Sequence, residues 1–198
     1  MGFPFLTLII ILIIVLAVLR KRSDNKAAEK EENFWNRELE ANSSVRTDID
    51  MDALPYVKVP MDVFPRDMAD TPGGSEIYNG ILSLSEQRIM NLGGKTNTDL
   101  KIEYGRNHLD EMQKIGENFE NLIIMIVSAA EYLISQSRYS EAEKVLEYGM
   151  SLHSDISKNY MLLGDCYKAL NETRKIRSLK ESVESMHLMM EKAIITHL

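Results

Sequence analysis

Residues 157–170 read Ser-Lys-Asn-Tyr-Met-Leu-Leu-Gly-Asp-Cys-Tyr-Lys-Ala-Leu, and this stretch decides the fold. Tyr160, Leu163, Gly164 and Tyr167 recur at steps of three, one and three, which puts them on one face of a helix. Thirty-four residues earlier the same positions hold Ile126, Ala129, Ala130 and Leu133, all apolar or small. A second amphipathic segment begins near Tyr139 and carries Ala142, Leu146 and Gly149. Small residues at 130, 142, 149 and 164 let paired helices approach closely, and the large residues between them fill the remaining space.

The aromatic, Leu-Gly, aromatic spacing and its 34-residue echo resemble the tetratricopeptide repeat, a stacked pair of helices. The next second helix departs from that pattern, with Ile176, Lys180 and Val183 where small, bulky and small residues belong. The likeness covers about one and a half repeats and one degenerate one. Asn97 to Gly105 and Phe34 to Glu38, taken with an apolar start and the repeat pair, resemble uncharacterised membrane-anchored tetratricopeptide-repeat-like proteins of Gram-positive bacteria. The resemblance implies an architecture and brings no activity. The expected fold is mainly α, with an N-terminal transmembrane helix followed by a tetratricopeptide-like α-solenoid.

Residues Phe3 to Leu19 contain no charge, and Thr7 is their one polar side chain. Such a run is at the short end of what spans a hydrocarbon core as a helix. No base precedes it and Arg20, Lys21 and Arg22 follow it, the reverse of a cleaved signal peptide. Met1-Gly2 opens like a myristoylation site, but Leu6 stands where that motif needs a hydroxyl. Bases on the C-terminal flank put the N-terminus outside and the larger part in the cytoplasm of a single-pass cell-membrane protein. The expected anchor is Phe3 to Leu19 with the Arg20, Lys21, Arg22 flank, and the bilayer is the first partner.

All 30 acids and 20 of the 23 bases lie from Ser23 onward, an excess that argues against a broad nucleic-acid surface. The single cysteine, Cys166, excludes an internal disulfide and reads as a small core residue.

The expected organisation is an anchor with basic flank at 1–22, a juxtamembrane helix at 23–42, a Pro-rich strap at 43–74, a helical segment at 75–118, and repeats with a C-terminal cap at 119–198. Ser23 or Asp24 is the expected cap of the juxtamembrane helix, with Phe34, Trp35 and Leu39 docked on the domain. The strap holds four of the five prolines. Its Tyr56 to Val59 reads as an edge strand or polyproline-like piece, and Leu54, Val63 and Phe64 are too apolar for a free linker. Ser75 is expected to cap a helix that stops at Gly93-Gly94. Asn97 or Thr98 starts a short one ended by Gly105, and Glu117 starts a long one.

Several patterns fail as chemistry. Gly93-Gly94-Lys95-Thr96 ends like a phosphate-binding loop, but Ile89 replaces the required glycine and no strand precedes it. Asp48, Asp50 and Asp52 begin like a calcium loop that Ala53 and Val59 do not complete. His108, His153, His187 and His197 show no ligand spacing. No catalytic residue, metal or cofactor is expected.

The function expected is a membrane-tethered helical-repeat scaffold or adaptor that binds an unknown protein. The alternative is an enzyme, or an accessory subunit of a membrane-bound enzyme or transport complex, with activity in 43–118. Ser128, Glu131, Lys158, Asn159, Leu162 and Asp165 flank the packing positions and are the expected groove. Ile176, Leu179, Val183, Met186, Met190 and Ile194 form a stripe that Leu188, Met189, Ile195 and Leu198 widen. It either caps the last repeat or supports self-association through a Met-rich surface.

Overall fold

The computed structural model describes residues 3–186 and 188–198, with side chains from Ile10 onward except residue 13. Met1, Gly2, His187 and the side chain of Phe3 lie outside the described residues. The chain is mainly helical and no strand occurs among the described residues. It divides into two compact units, residues 1–49 with 94–110 and residues 50–93 with 111–198. The 75–118 segment is therefore shared between the units instead of standing alone.

In the first unit, α1 (Phe3–Ser43) runs for 41 residues, about 60 Å at 1.5 Å per residue. The expected break and cap at Ser23 or Asp24 are absent, because residues 20–43 contain neither Pro nor Gly to stop a helix already under way. Among the described residues no helix is long and apolar enough to cross a membrane. Ile10 to Leu12 and Ile14 to Leu19 are exposed around the whole helix.

The end of α1 packs on α3 (Asn97–Tyr104) through a polar clasp. Glu38 accepts from the Thr98 hydroxyl and lies 3.7 Å from Lys101 Nζ, Arg37 pairs with Asp99, and Lys101 Nζ donates to Asn42 Oδ1 at 2.8 Å. Ala41 is the buried residue on this face. Phe34, Trp35 and Leu39 point elsewhere and stay exposed, correcting the expected docking. The two rings instead meet edge to face, 5.3 Å apart. Thr96, one residue before the expected start, caps α3 in a reciprocal box with Asp99. Gly105 ends it at φ +90°, where a Cβ would fall 2.7 Å from Arg46 N. That close approach lets the Asn107 side chain accept from Arg46 N–H and donate to its carbonyl, at 3.1 and 3.0 Å.

The second unit begins with the strap, which forms 3-10 turns at Met51–Ala53, Met61–Val63 and Arg66–Asp70. Tyr56 to Val59 is not a strand; Val57 N–H reaches the Ile89 carbonyl, and the prolines allow no longer ladder. Phe64 and Met68 are buried. Thr71, not Ser75, caps α2 (Pro72–Ser85), with Pro72 in the first turn, where a missing N–H costs nothing. This helix stops at Ser85, eight residues before Gly93-Gly94, which form a separate turn with Gly94 at φ +79°.

The helical array follows as α4 (Leu109–Ser135), α5 (Tyr139–Ser151), α6 (Ser157–Ala169), α7 (Thr173–Met186) and α8 (Glu191–His197). Helix α4 starts eight residues before the expected Glu117, and Gly116 inside it sits against Leu92. One core joins Ile81 and Leu84 of α2, Leu122, Ile126 and Leu133 of α4, Leu146, Tyr160, Leu163, Leu179, Val183 and Ile194. Ile126, Tyr160 and Ile194 stand 34 residues apart and each is fully buried.

The turns α4–α5 and α6–α7 are built alike at the same interval. Ser137 and Asn171 both take left-handed backbone, φ 58° and 59°. Arg138 N–H reaches the Leu133 carbonyl at 2.9 Å, and Glu172 N–H reaches the Tyr167 carbonyl at 2.8 Å. Both are the six-to-one bond that closes a helix C-terminus. Ser157, the first residue of α6, makes no cap bond; Ile156 N–H donates to Ser154 Oγ.

Arg138 also holds the strap. It donates to Asp67 at 2.8 and 3.0 Å and to Glu141 at 2.7 Å. Hydrogen bonds from Arg138 hold both carboxyls below their ordinary values of 3.8 and 4.5. A carboxyl whose folded pKa is depressed contributes stability above its unfolded pKa and loses it as pH falls. The urea midpoint should therefore drop between about pH 5 and pH 3, and Arg138→Gln should flatten that part of the profile.

A Cβ on Gly149 would lie 2.4 Å from Asn159 Oδ1 and 3.0 Å from Ile126 Cγ2. Gly149→Ala should cost about 1–3 kcal/mol by overpacking this crossing, whereas Ser157→Ala should change stability by less than about 0.5 kcal/mol. Equilibrium denaturation of the two variants checks both values.

Candidate interaction surface

Helices α4 and α6 are neighbours, because Lys158 Nζ on α6 lies 2.6 Å from Glu131 Oε1 on α4. Their side chains form one polar strip across the two helices. Glu131 and Lys158 are both exposed. Ser128 is half-buried and its hydroxyl donates back to the Ile124 carbonyl at 3.0 Å. Asp165 is half-exposed and faces His197 Nε2 at 2.9 Å and Lys168 Nζ at 3.8 Å.

Two of the six expected groove residues do other work. Asn159 is fully buried, its amide donating to the Leu146 carbonyl at 3.1 Å. Leu162 is half-buried and packs against the core. Helix α6 touches α5, α7 and α8, so only a narrow arc of it remains free. A one-helix projection gives Asn159 an outward position because it treats only one side of the helix as covered.

His197 and Lys168 join the strip and were not foreseen. Lys168 Nζ donates to the His197 carbonyl at 2.5 Å. The signal was present in the 34-residue interval, which sets Ile194 where Tyr160 and Ile126 stand, all three buried.

The C-terminal stripe is divided between α7 and α8 and is mostly core. Leu179, Val183 and Ile194 are buried, and Ile176, Met186, Leu188, Ile195 and Leu198 pack on them. Tyr160 OH donates to Met186 Sδ at 3.5 Å. Met189 and Met190 alone stand out, 99% and 51% exposed.

Several titratable groups help hold the fold together. Burial pushes the Cys166 thiol up to about 12, far from a reactive thiolate. Lys175 is held well above its usual range by hydrogen bonds to Glu143 first and Glu172 second, and it neutralises the nearly buried Glu143 carboxylate. Asp50 caps a 3-10 turn, Asp48 pairs with Arg46 and Asp52 with Arg88. Gly93 N–H donates to Asn91 Oδ1 at 2.9 Å and Thr96 caps α3, so these residues form a turn and a cap. Among the described residues no group of three His, Cys, Asp or Glu is placed to hold a metal ion.

Comparison with protein families, with curated proteins and with solved structures finds no match for the chain.

Asn159→Ala should cost about 1–3 kcal/mol, because the Leu146 carbonyl loses a buried partner. Glu131→Ala and Lys158→Ala should each stay within about 0.5 kcal/mol, as exposed ion pairs do. Denaturation midpoints of the three variants separate the core position from the strip.

Proposed function

We propose that the chain is a membrane-tethered helical-repeat module that binds another protein and performs no catalysis of its own. The observation that carries this reading is the 34-residue recurrence: buried Ile126, Tyr160 and Ile194, paired with the twin turns at Ser137 and Asn171. Stacked helix pairs of that period present the faces of their first helices to a peptide or helix. The strip of Glu131, Lys158 and Asp165 carries both charges and suits a polar, mixed-charge segment.

Tethering rests on the apolar run 3–19 and on Arg20, Lys21 and Arg22 beside it. Exposed Ile, Leu and Val at Ile10 to Leu12 and Ile14 to Leu19 favour a lipid environment over water. The basic flank favours a cytoplasmic domain. A tether raises local concentration at the membrane, so a modest groove affinity suffices there.

A reporter fused after Leu198 should be active only in its cytoplasmic form, and changing Arg20, Lys21 and Arg22 to Asn should weaken that preference. Release of the full chain from membranes by alkaline carbonate would overturn the tether.

A further inference from the structure

Helix α8 is seven residues long, too short to be stable by itself. Its place is fixed by what it covers on α6. Ile194 is fully buried, and Leu198 occupies the hollow over Gly164, where a Cβ would fall 2.0 Å from Leu198 Cδ2. His197 adds the polar ties to Asp165 and Lys168.

The connection that brings α8 there is short and carries two exposed apolar side chains, Met189 and Met190. Residues Leu188 to Ala193 surround an open hollow of about 500 Å3. Nothing between Met186 and Glu191 is a helix breaker, since the residues there are His, Leu, Met and Met with no Pro or Gly. The apolar spacing also runs through the break: Ile176, Leu179, Val183, Met186, Met190 and Ile194 keep steps of three and four, as one continuous helix would. The sequence thus supports a straight α7–α8 helix while the folded chain bends it.

From this conflict we infer that two copies of the chain exchange α8. The bend straightens, α7 and α8 become one helix, and α8 of each copy enters the Gly164 hollow of the other. Every contact of α8 is kept, because the slot and its occupant are unchanged in chemistry. Helix gained across the hinge favours the exchanged form, and the two hinges meet, which covers Met189 and Met190 of both copies. Short hinge loops favour such exchange. The inference rests on the α6–α8 contact and is independent of the strip around Lys158.

The test uses the full chain in detergent, with Cys166→Ala removing the native thiol and Gly164→Cys combined with Leu198→Cys. A Cβ at 164 would fall 3.5 Å from Leu198 Cγ, one bond from the Leu198 Cβ, so a small shift of this chain end brings the pair to the span a disulfide bridges. Oxidation should give a covalent dimer on a denaturing, non-reducing gel. Inserting two glycines between Met189 and Met190 should convert that product to an internally bridged monomer and halve the mass of the uncrosslinked protein in light scattering. Met189→Lys with Met190→Lys should weaken the dimer while leaving helix content unchanged. An internally bridged monomer in the unextended chain at all concentrations would overturn the exchange and leave the groove reading standing. Failure to form either bridge in a folded protein would overturn the α6–α8 contact itself.

Discussion

The helical array depends on how closely three helices meet at Gly149. Its missing Cβ lets α5 approach Ile126 on α4 and Asn159 on α6 together. With that spacing fixed, Ala142, Leu146 and Tyr160 pack between the helices, and each is fully buried. The Asn159 amide adds direction to a contact that packing alone leaves free to slide, since its bond to the Leu146 carbonyl exists in one register. The buried tyrosine reinforces that register, with its hydroxyl on the Ser154 carbonyl at 2.5 Å.

The strap and the polar clasp perform the same task by different means. In the second unit, Phe64 meets Tyr148 edge to face at 6.2 Å, and Arg138 ties Asp67 to the start of α5. Proline-limited backbone that makes no ladder is thereby held by side chains. In the first unit little apolar surface is buried, and hydrogen bonds among Glu38, Asn42, Arg46, Thr98, Lys101 and Asn107 set the geometry. This explains why the aromatic pair Phe34 and Trp35 is left in solvent.

Helix α8 closes the array at the cost of an awkward connection. It keeps the 34-residue spacing by placing Ile194 after Ile126 and Tyr160, each fully buried. It spends its whole apolar face on α6 and α7 and leaves the methionines of its hinge uncovered.

Much of this protein was legible in its residue order, for a local reason. Periodicity, small residues at crossings and the glycine after Tyr104 act within one or two turns of chain, so the mainly helical class, the buried faces of α4 and α6 and the end of α3 follow from the sequence. The apolar run at 3–19 and its basic flank are equally a matter of order alone. Caps are less legible, because Thr71 and Thr96 compete with nearby Ser75 and Thr98, and only the backbone path selects among them. Tertiary structure alone decided the fate of Asn159, Leu162 and Trp35. A helix flanked on several sides hides residues that a single-face projection leaves out, and a polar clasp on α1 chooses Ala41 over the aromatics. It also decided that the C-terminal stripe is split between α7, which ends at Met186, and α8, which starts at Glu191, because Ile194 is buried over α6.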